Sequence, residues 1–264
     1  MQKILIVATS RVIKLFANTL KMLNYPLYWI FPKIRFTLPE YSPPLFKNNK
    51  KKVISSIIWQ TNFTNRVTLP VYLNYLFNRL MAPDFEYRFM STEARNNFIN
   101  AYYPDVLPHY NRLQIGAAQA DLWRVLVLHK FGGVYLDIDA HQIWPLSQLI
   151  GSKEKEIFVT TRRGEFSNYF IASAPANPNL AKLIDQIVEN IKENTLTNVF
   201  HITGPGVFNM LLNPEKVPTV HYRYAVNQGS FTNEHFQYID KPQGKWNKEQ
   251  RKTSVIRPES ENTA

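Results

Sequence analysis

The residues best placed to do chemistry are Asp137 and Asp139, in the run FGGVYLDIDA at positions 131–140. Two glycines stop a helix there, and a short apolar strand follows. Side chains alternate along a strand, so Val134, Leu136 and Ile138 share one face and Tyr135, Asp137 and Asp139 the other. Two carboxylates side by side at the end of a buried strand repel and desolvate at a cost of several kcal/mol unless something compensates them. A divalent cation is the natural compensator, and a cation at a strand end is a place to hold a diphosphate. The plain alternative is a pair of loop aspartates facing water. Their apolar strand and the charged helix before it weigh against that.

That helix carries a second pair. Asp121 and Arg124 are three residues apart and so share a face. On a free surface such a pair is worth less than about 1 kcal/mol. Here the surroundings are Ala117, Ala118, Ala120, Leu122, Trp123, Val125, Leu126 and Val127, too apolar for a freely solvated helix. A carboxylate and a guanidinium fixed at the edge of a packed region suit a polyhydroxyl ligand, offering one acceptor and several donors.

The elements that must position these groups alternate. Val53–Ile58 is a β-prone run entering a polar turn at Trp59-Gln60-Thr61-Asn62. A helix spans 70–80 with Pro70 first, a strand covers Phe85–Phe89, and Ser91 opens a helix to about Tyr102. The helix at 115–130 ends at Gly132 as its cap. Strands follow at Ile157–Thr161 and Tyr169–Ser173. Asn177-Pro178 starts a helix of about a dozen residues, and Thr203-Gly204-Pro205-Gly206 opens a short one. After Asn213 the pattern is mostly loop with short strands. This alternation predicts an α/β domain with a mostly parallel central sheet, ligands sitting at the carboxyl ends of strands. The expected divisions are a basic, aromatic segment and linker at 1–52, the domain at 53–246 and a polar tail at 247–264.

The 264 residues are 45% hydrophobic and 14% aromatic, enough for one large core. There are no cysteines, which excludes disulfides and thiolate chemistry and is compatible with a reducing cytoplasm. The net charge of +11 is unevenly placed: residues 1–52 hold ten Lys and Arg against Glu40, a net +9, leaving +2 for the rest. A nucleic-acid-binding domain would carry its own basic face, so nucleic acid is not an expected partner. The longest uncharged aromatic run, Met22–Pro32, is about half of the roughly 20 residues that span a bilayer. Arg11 and Lys14 also break any signal-peptide pattern. Residues 11–23 alternate with helical period, Ile13, Phe16, Leu20 and Leu23 against Arg11, Lys14, Asn18 and Lys21. Such a segment could make peripheral contact with an anionic membrane. It could equally pack on the domain, with Lys3–Thr9 as an extra strand.

The stretch ADLWRVLVLHKFGGVYLDIDA resembles the signature of the DXD-containing sugar transferases of glycosyltransferase family 32. Its members include bacterial capsule and lipooligosaccharide transferases and fungal mannosyltransferases, with the clostridial glucosylating toxins more distant. The shared pattern is a small residue, Asp, two variable residues and Arg, then Gly-Gly-x-Tyr-x-Asp-x-Asp. Ile57-Ile58-Trp59-Gln60-Thr61 and Thr203-Gly204-Pro205 are weaker echoes, and the resemblance covers roughly residues 53–246. It implies a single GT-A-like (Rossmann-like) domain, a nucleotide-sugar donor, Mn²⁺ or Mg²⁺, and transfer with retention. UDP-sugars are favoured, with GDP-mannose open. It gives Asp139 direct metal contact, and Asp137 contact with the ribose or donor sugar and with the metal through water. Asp121 and Arg124 would hold donor hydroxyls, and Trp59 would flank the base beside Gln60. Tyr135 and Asn168 complete the implied donor-binding set.

Some family positions differ. Ala120 and Val125 stand where Ser and Tyr are usual, and Gln243-Gly244-Lys245-Trp246 has Lys245 where a small hydroxyl residue is expected. This leaves the third protein metal ligand open, with Asp240 and His235 as candidates. His129, His141, His201 and His221 lack ligand spacing and are expected to be structural or surface residues. The resemblance implies a saccharide or glycolipid acceptor and a peripheral place on the cytoplasmic face of a bacterial inner membrane. Asn62-Phe63-Thr64 is a glycosylation sequon beside the expected base-binding turn, which disfavours a secretory compartment. Two other functions share this site: a metal-dependent nucleotide-sugar hydrolase, and a non-catalytic sugar- or nucleotide-binding protein. The first lacks an evident His or Glu base beside Asp137, and the second has little reason to keep a costly carboxylate pair.

Overall fold

The computed structural model describes residues 2–48 and 51–258. Lys50 of the basic run and residues 259–264 of the expected tail lie outside them. Where the apolar period is strong, the helices form as expected. Helix α1 spans Gln2–Ile30, α2 Leu69–Met81 and α3 Thr92–Tyr102. The Ser91 hydroxyl caps α3 by accepting from the Ala94 amide, and Asn177 caps the helix Pro178–Glu193 in the same way. The central helix, Gly116–Phe131, is apolar almost all round and buried from Leu122 to Leu128.

Among the described residues the main sheet has seven strands, in the order Thr219–His221, Glu156–Thr160, Phe166–Ser173, Gly133–Leu136, Ile57–Thr61, Glu86–Met90, Tyr41–Ser42. Ile57–Thr61 pairs parallel with both its neighbours, and Thr219–His221 pairs parallel with Glu156–Thr160. The other pairings are antiparallel, so the sheet is mixed rather than mostly parallel. Residues 161–165 are too short for a crossover, which takes a dozen or more residues, and so Glu156–Thr160 and Phe166–Ser173 must form a hairpin. Helices cover both faces. Val134 and Leu136 pack in a core with Val71 and Tyr75 of α2, while Tyr135 packs in a second core with Leu122 and Trp123 of the central helix.

Several expected boundaries move. The strand after Ile54 begins at Ile57 and runs through Thr61, because its parallel pairing with Glu86–Met90 continues to Thr61↔Met90. Trp59 and Gln60 are therefore strand residues, not turn residues. Residues 33–48 are no free linker: Phe36–Thr37 pairs with Arg66–Val67, Tyr41–Ser42 edges the main sheet, and Leu38 is fully buried. The described part of the tail is packed: Val255 and Ile256 bury against Leu113, and the Arg257 amide donates to Arg112 O. Lys3–Thr9 belongs to α1 rather than to an extra strand. One stripe of α1, with Ile6, Ile13 and Ala17, packs on Ile143 and Phe231.

The two glycines let the central helix turn straight into the central strand. Gly132 caps the helix at φ +66°. Gly133, at φ +106°, has room for no side chain, since a Cβ would meet Ile57 O at 2.7 Å. Gly133→Ala should cost about 2–5 kcal/mol through backbone strain and overpacking. Urea unfolding monitored by circular dichroism measures the loss directly.

Candidate functional site

The central strand stops at Leu136, and Asp137-Ile138-Asp139 makes a turn closed by the Ala140 amide donating to Asp137 O at 3.0 Å. The carboxylates are brought together by this turn and not by strand alternation. Buried side chains hold its backbone. Asn74 of α2 donates to Ile138 O and Ala140 O, each at 2.9 Å, and Gln60 donates to Asp137 O at 3.1 Å. Gln228 closes the arrangement from the far side of the chain, its Nε2 donating to Asp137 Oδ2 at 3.0 Å and to Asp139 Oδ1 at 3.3 Å.

Behind the turn runs a buried polar chain. Arg124 pairs with Asp121 at 2.9 Å, reaches Asp137 Oδ1 at 3.4 Å, and lies over the Tyr135 ring at 4.3 Å. It also donates to Asn168 O at 2.7 Å. Asp121 accepts from Asn168 Nδ2 and from the Thr203 hydroxyl. The Tyr135 hydroxyl donates to Asp137 Oδ1 at 2.6 Å. Burial pushes the Asp121 carboxyl up to about 6, with Arg124 working against it. Burial, then the Asp137 charge, push Asp139 up to about 6 as well.

The aspartates open onto a cavity of about 770 Å³. Arg95, Arg124, Lys241 and Lys245 line it, as do Asp137, Asp139 and Glu234. Arg95 is 3% exposed; its NH2 donates to the Thr92 hydroxyl, and its Nε has no partner. Burial lowers the Lys241 ammonium to about 8. Buried Arg95 and half-buried Lys241 have no carboxylate of their own among the described residues, which suits an anionic ligand. A hard divalent cation also fits the donor set. Asp139 has no ion-pair partner among the described residues, and two carboxylates with a neighbouring amide leave positions for phosphate and water oxygens. The described residues contain no cluster of three or more His, Cys, Asp or Glu that could hold a metal unaided.

Comparison with known proteins agrees with this geometry. Residues 70–156 match the family model described as "Glycosyltransferase sugar-binding region containing DXD motif". Over this region the chain is similar to the DXD-containing sugar transferases. Inositol phosphoceramide mannosyltransferase 2 of Schizosaccharomyces pombe is 30% identical over 128 residues, 47% of this chain and 36% of that one. Uncharacterized glycosyltransferase L373 of Acanthamoeba polyphaga mimivirus is 30% identical over 132 residues, 47% of this chain and 50% of that one. The chain thus spans half or less of the length of either relative. The solved structure of PaToxG Glycosyltransferase superposes with a TM-score of 0.52 at 20% identity, covering 78% of this chain and 80% of that one. The fold is that of the GT-A glycosyltransferases.

The structure gathers Asp137, Asp139, Tyr135, Arg124, Asp121 and Asn168 into one connected group. Asp121 and Asn168 sit behind the cavity wall rather than on it. Trp59 is not a wall residue either. It is 2% exposed, donates to Gly132 O at 2.9 Å and stacks on Phe131, because the strand carries it into the core. Phe63, 43% exposed at the cavity wall, presents the aromatic surface expected of Trp59. Asp240 is drawn off by its ion pair with Arg35, and His235 stacks on Tyr25. Neither lines the cavity. Gln243 does, and it also latches onto the start of the central helix, accepting from the Gly116 amide. Gln228, Arg95, Lys241 and Asn74 were missed. No sequence spacing marks Gln228, which lies 91 positions from Asp137.

Asp139 carries a folded-state value above its ordinary 3.8. The folded chain therefore holds this proton to higher pH than the unfolded chain does. The associated stability is complete below about pH 4 and lost as pH rises through about 6. Asp139→Asn should shrink the fall in thermal midpoint across that window, leaving the part due to Asp121. Calorimetric scans of the metal-free protein at stepped pH read this out.

Proposed function

We propose that this chain is a metal-dependent glycosyltransferase. It moves a hexose from a nucleoside-diphosphate sugar to a saccharide or glycolipid acceptor of a surface glycan, with retention at the anomeric carbon. The carrying observation is the Asp137–Asp139 turn, bridged by Gln228 and facing a cavity that Arg95 and Lys241 also line. Two acids sharing a cavity with two cations that have no carboxylate partner among the described residues suit a metal diphosphate, charge matched to charge. Mn²⁺ or Mg²⁺ held by Asp139 and Asp137 would neutralise the charge developing on the departing diphosphate.

The protein side chains do the rest. Arg95 and Lys241 offer donors to phosphate oxygens. Arg124, locked by Asp121 and Asn168, holds Asp137 in place and offers a guanidinium edge to donor hydroxyls. Phe63 offers a ring face to the base, taking the place expected of Trp59. The cavity wall contains no histidine among the described residues, and Glu234 is engaged by Lys248. A water-activating base is therefore not evident, which favours transfer over hydrolysis. Retention is compatible with this wall, because the leaving phosphate oxygen can itself take the acceptor's proton.

The Schizosaccharomyces pombe relative is named for mannosyl transfer to inositol phosphoceramide, which supports a lipid-borne acceptor here. Asn62 lies in the cavity wall, where a glycan would obstruct the donor. This supports the cytoplasmic face of a bacterial inner membrane. No described helix is long and apolar enough to cross a membrane, so the contact we propose is peripheral.

Calorimetric titration with UDP and with GDP, each with Mn²⁺, Mg²⁺ or EDTA, tests the reading. One diphosphate should bind with metal and lose most of its affinity in EDTA. Asp139→Ala should remove the metal-dependent part while the circular dichroism spectrum stays unchanged. Unaltered affinity with Mn²⁺ in that variant would sink the metal assignment.

A further inference from the structure

Helix α1 is apolar on two sides. Its inner stripe packs on the domain, yet Ile4, Leu15, Met22 and Trp29 project the opposite way and are 76%, 72%, 68% and 85% exposed. At 100° per residue these four lie within about 40° of one another. Arg11 lies within that row and Lys14 on its flank, while Lys3 lies nearer the inner side, its Nζ over the Tyr224 ring. The row extends over most of a 29-residue helix, about 40 Å long. An exposed apolar surface of that extent marks an interaction site. The sequence pattern had grouped Ile13 and Leu20 with Phe16 and Leu23 as one membrane-facing side. The structure turns Ile13 and Leu20 inward and leaves Phe16 and Leu23 exposed, so the expected side is split.

The partner's chemistry follows from the charge. Residues 1–52 carry a net +9, and α1 holds four basic residues and no acid, so pairing this face with a second copy would bring like charges together with nothing to compensate them. An anionic lipid surface accepts both the apolar row and its basic residues. Spanning is excluded for α1 by its hydropathy.

The inner side of α1 also grips the cavity wall. Lys21 Nζ donates to Gly229 O at 2.8 Å, next to Gln228. Asn227 Nδ2 donates to the Ser10 hydroxyl, and Asn233 Nδ2 to the Tyr25 hydroxyl. Whatever holds α1 therefore holds the segment that closes over the aspartates.

We propose that α1 lies in the interface of an anionic membrane, with Ile4, Leu15, Met22 and Trp29 entering the headgroup region, Arg11 meeting lipid phosphates within the row and Lys14 reaching them from its flank. The wall formed by residues 227–233 is thereby fixed beside that surface. Its value for catalysis rests on the transferase reading with a lipid-borne acceptor; the docking itself does not.

Flotation of the full chain with vesicles tests it, using phosphatidylcholine alone and phosphatidylcholine with phosphatidylglycerol. Binding is expected only with the anionic lipid and should weaken with salt. Leu15→Glu with Met22→Glu should reduce it at least about tenfold. Replacing Arg11 and Lys14 by Gln should cost about thirtyfold at low salt. Both variants should keep the wild-type thermal midpoint and the wild-type response to UDP with Mn²⁺. No binding to anionic vesicles, equal binding by the variants, or a dimer in sedimentation that excludes vesicles overturns the proposal. Failure of docking with nucleotide binding intact leaves the transferase reading standing. Docking without nucleotide binding sinks that reading instead.

Discussion

Everything at this site depends on the buried Arg124 guanidinium. A buried charge survives only when paired and hydrogen-bonded, and Arg124 is both. It spans Asp121 and Asp137, caps the Tyr135 ring and donates to Asn168 O. Asp121 is satisfied in turn by Asn168 and Thr203. One cation thus ties the central helix, the central strand, the strand Phe166–Ser173 and the start of a later helix to one another. Removing any member would leave a desolvated charge behind, which gives the group its rigidity.

The second constraint is steric. A helix and a strand so closely joined need a connection that bends through positive φ at Gly132 and Gly133, with Ile57 O pressed against the second glycine. That junction sets where the strand ends, and so where the aspartate turn begins. Asn74 and Gln60 then spend their side-chain amides on the turn's carbonyls. The carboxylates line the cavity.

The terminal segments complete the molecule in the same way. The N-terminal helix and the chain after Val226 meet through Lys21, Ser10 and Tyr25, and that later stretch of chain supplies Gln228, Gly229 and Asn233 to the cavity wall. The segment carrying most of the net charge therefore supports the site from behind. A basic patch that looks detachable in the sequence is bonded to the residue beside Gln228.

The helices, the glycine stop and the Asp121–Arg124 and Asp137–Asp139 pairs were legible in the sequence because each is a local pattern. Helical period, cap chemistry and spacings of two or three residues need no knowledge of the rest of the chain. What depended on distant pairing was not legible. The hairpin after Glu156–Thr160 made the sheet mixed. The parallel register of Ile57–Thr61 buried Trp59 and left Phe63 on the wall. Val255 and Ile256 packed the described part of a tail that composition alone called loose. Gln228, Arg95 and Lys241 reach the aspartates only through tertiary packing. The sequence by itself determined that two close carboxylates follow a helix carrying Asp121 and Arg124, because that chemistry is carried by type and short spacing. Only the tertiary structure decided which side chains complete the cavity and which side of α1 stays free, because burial is a property of the whole packed chain.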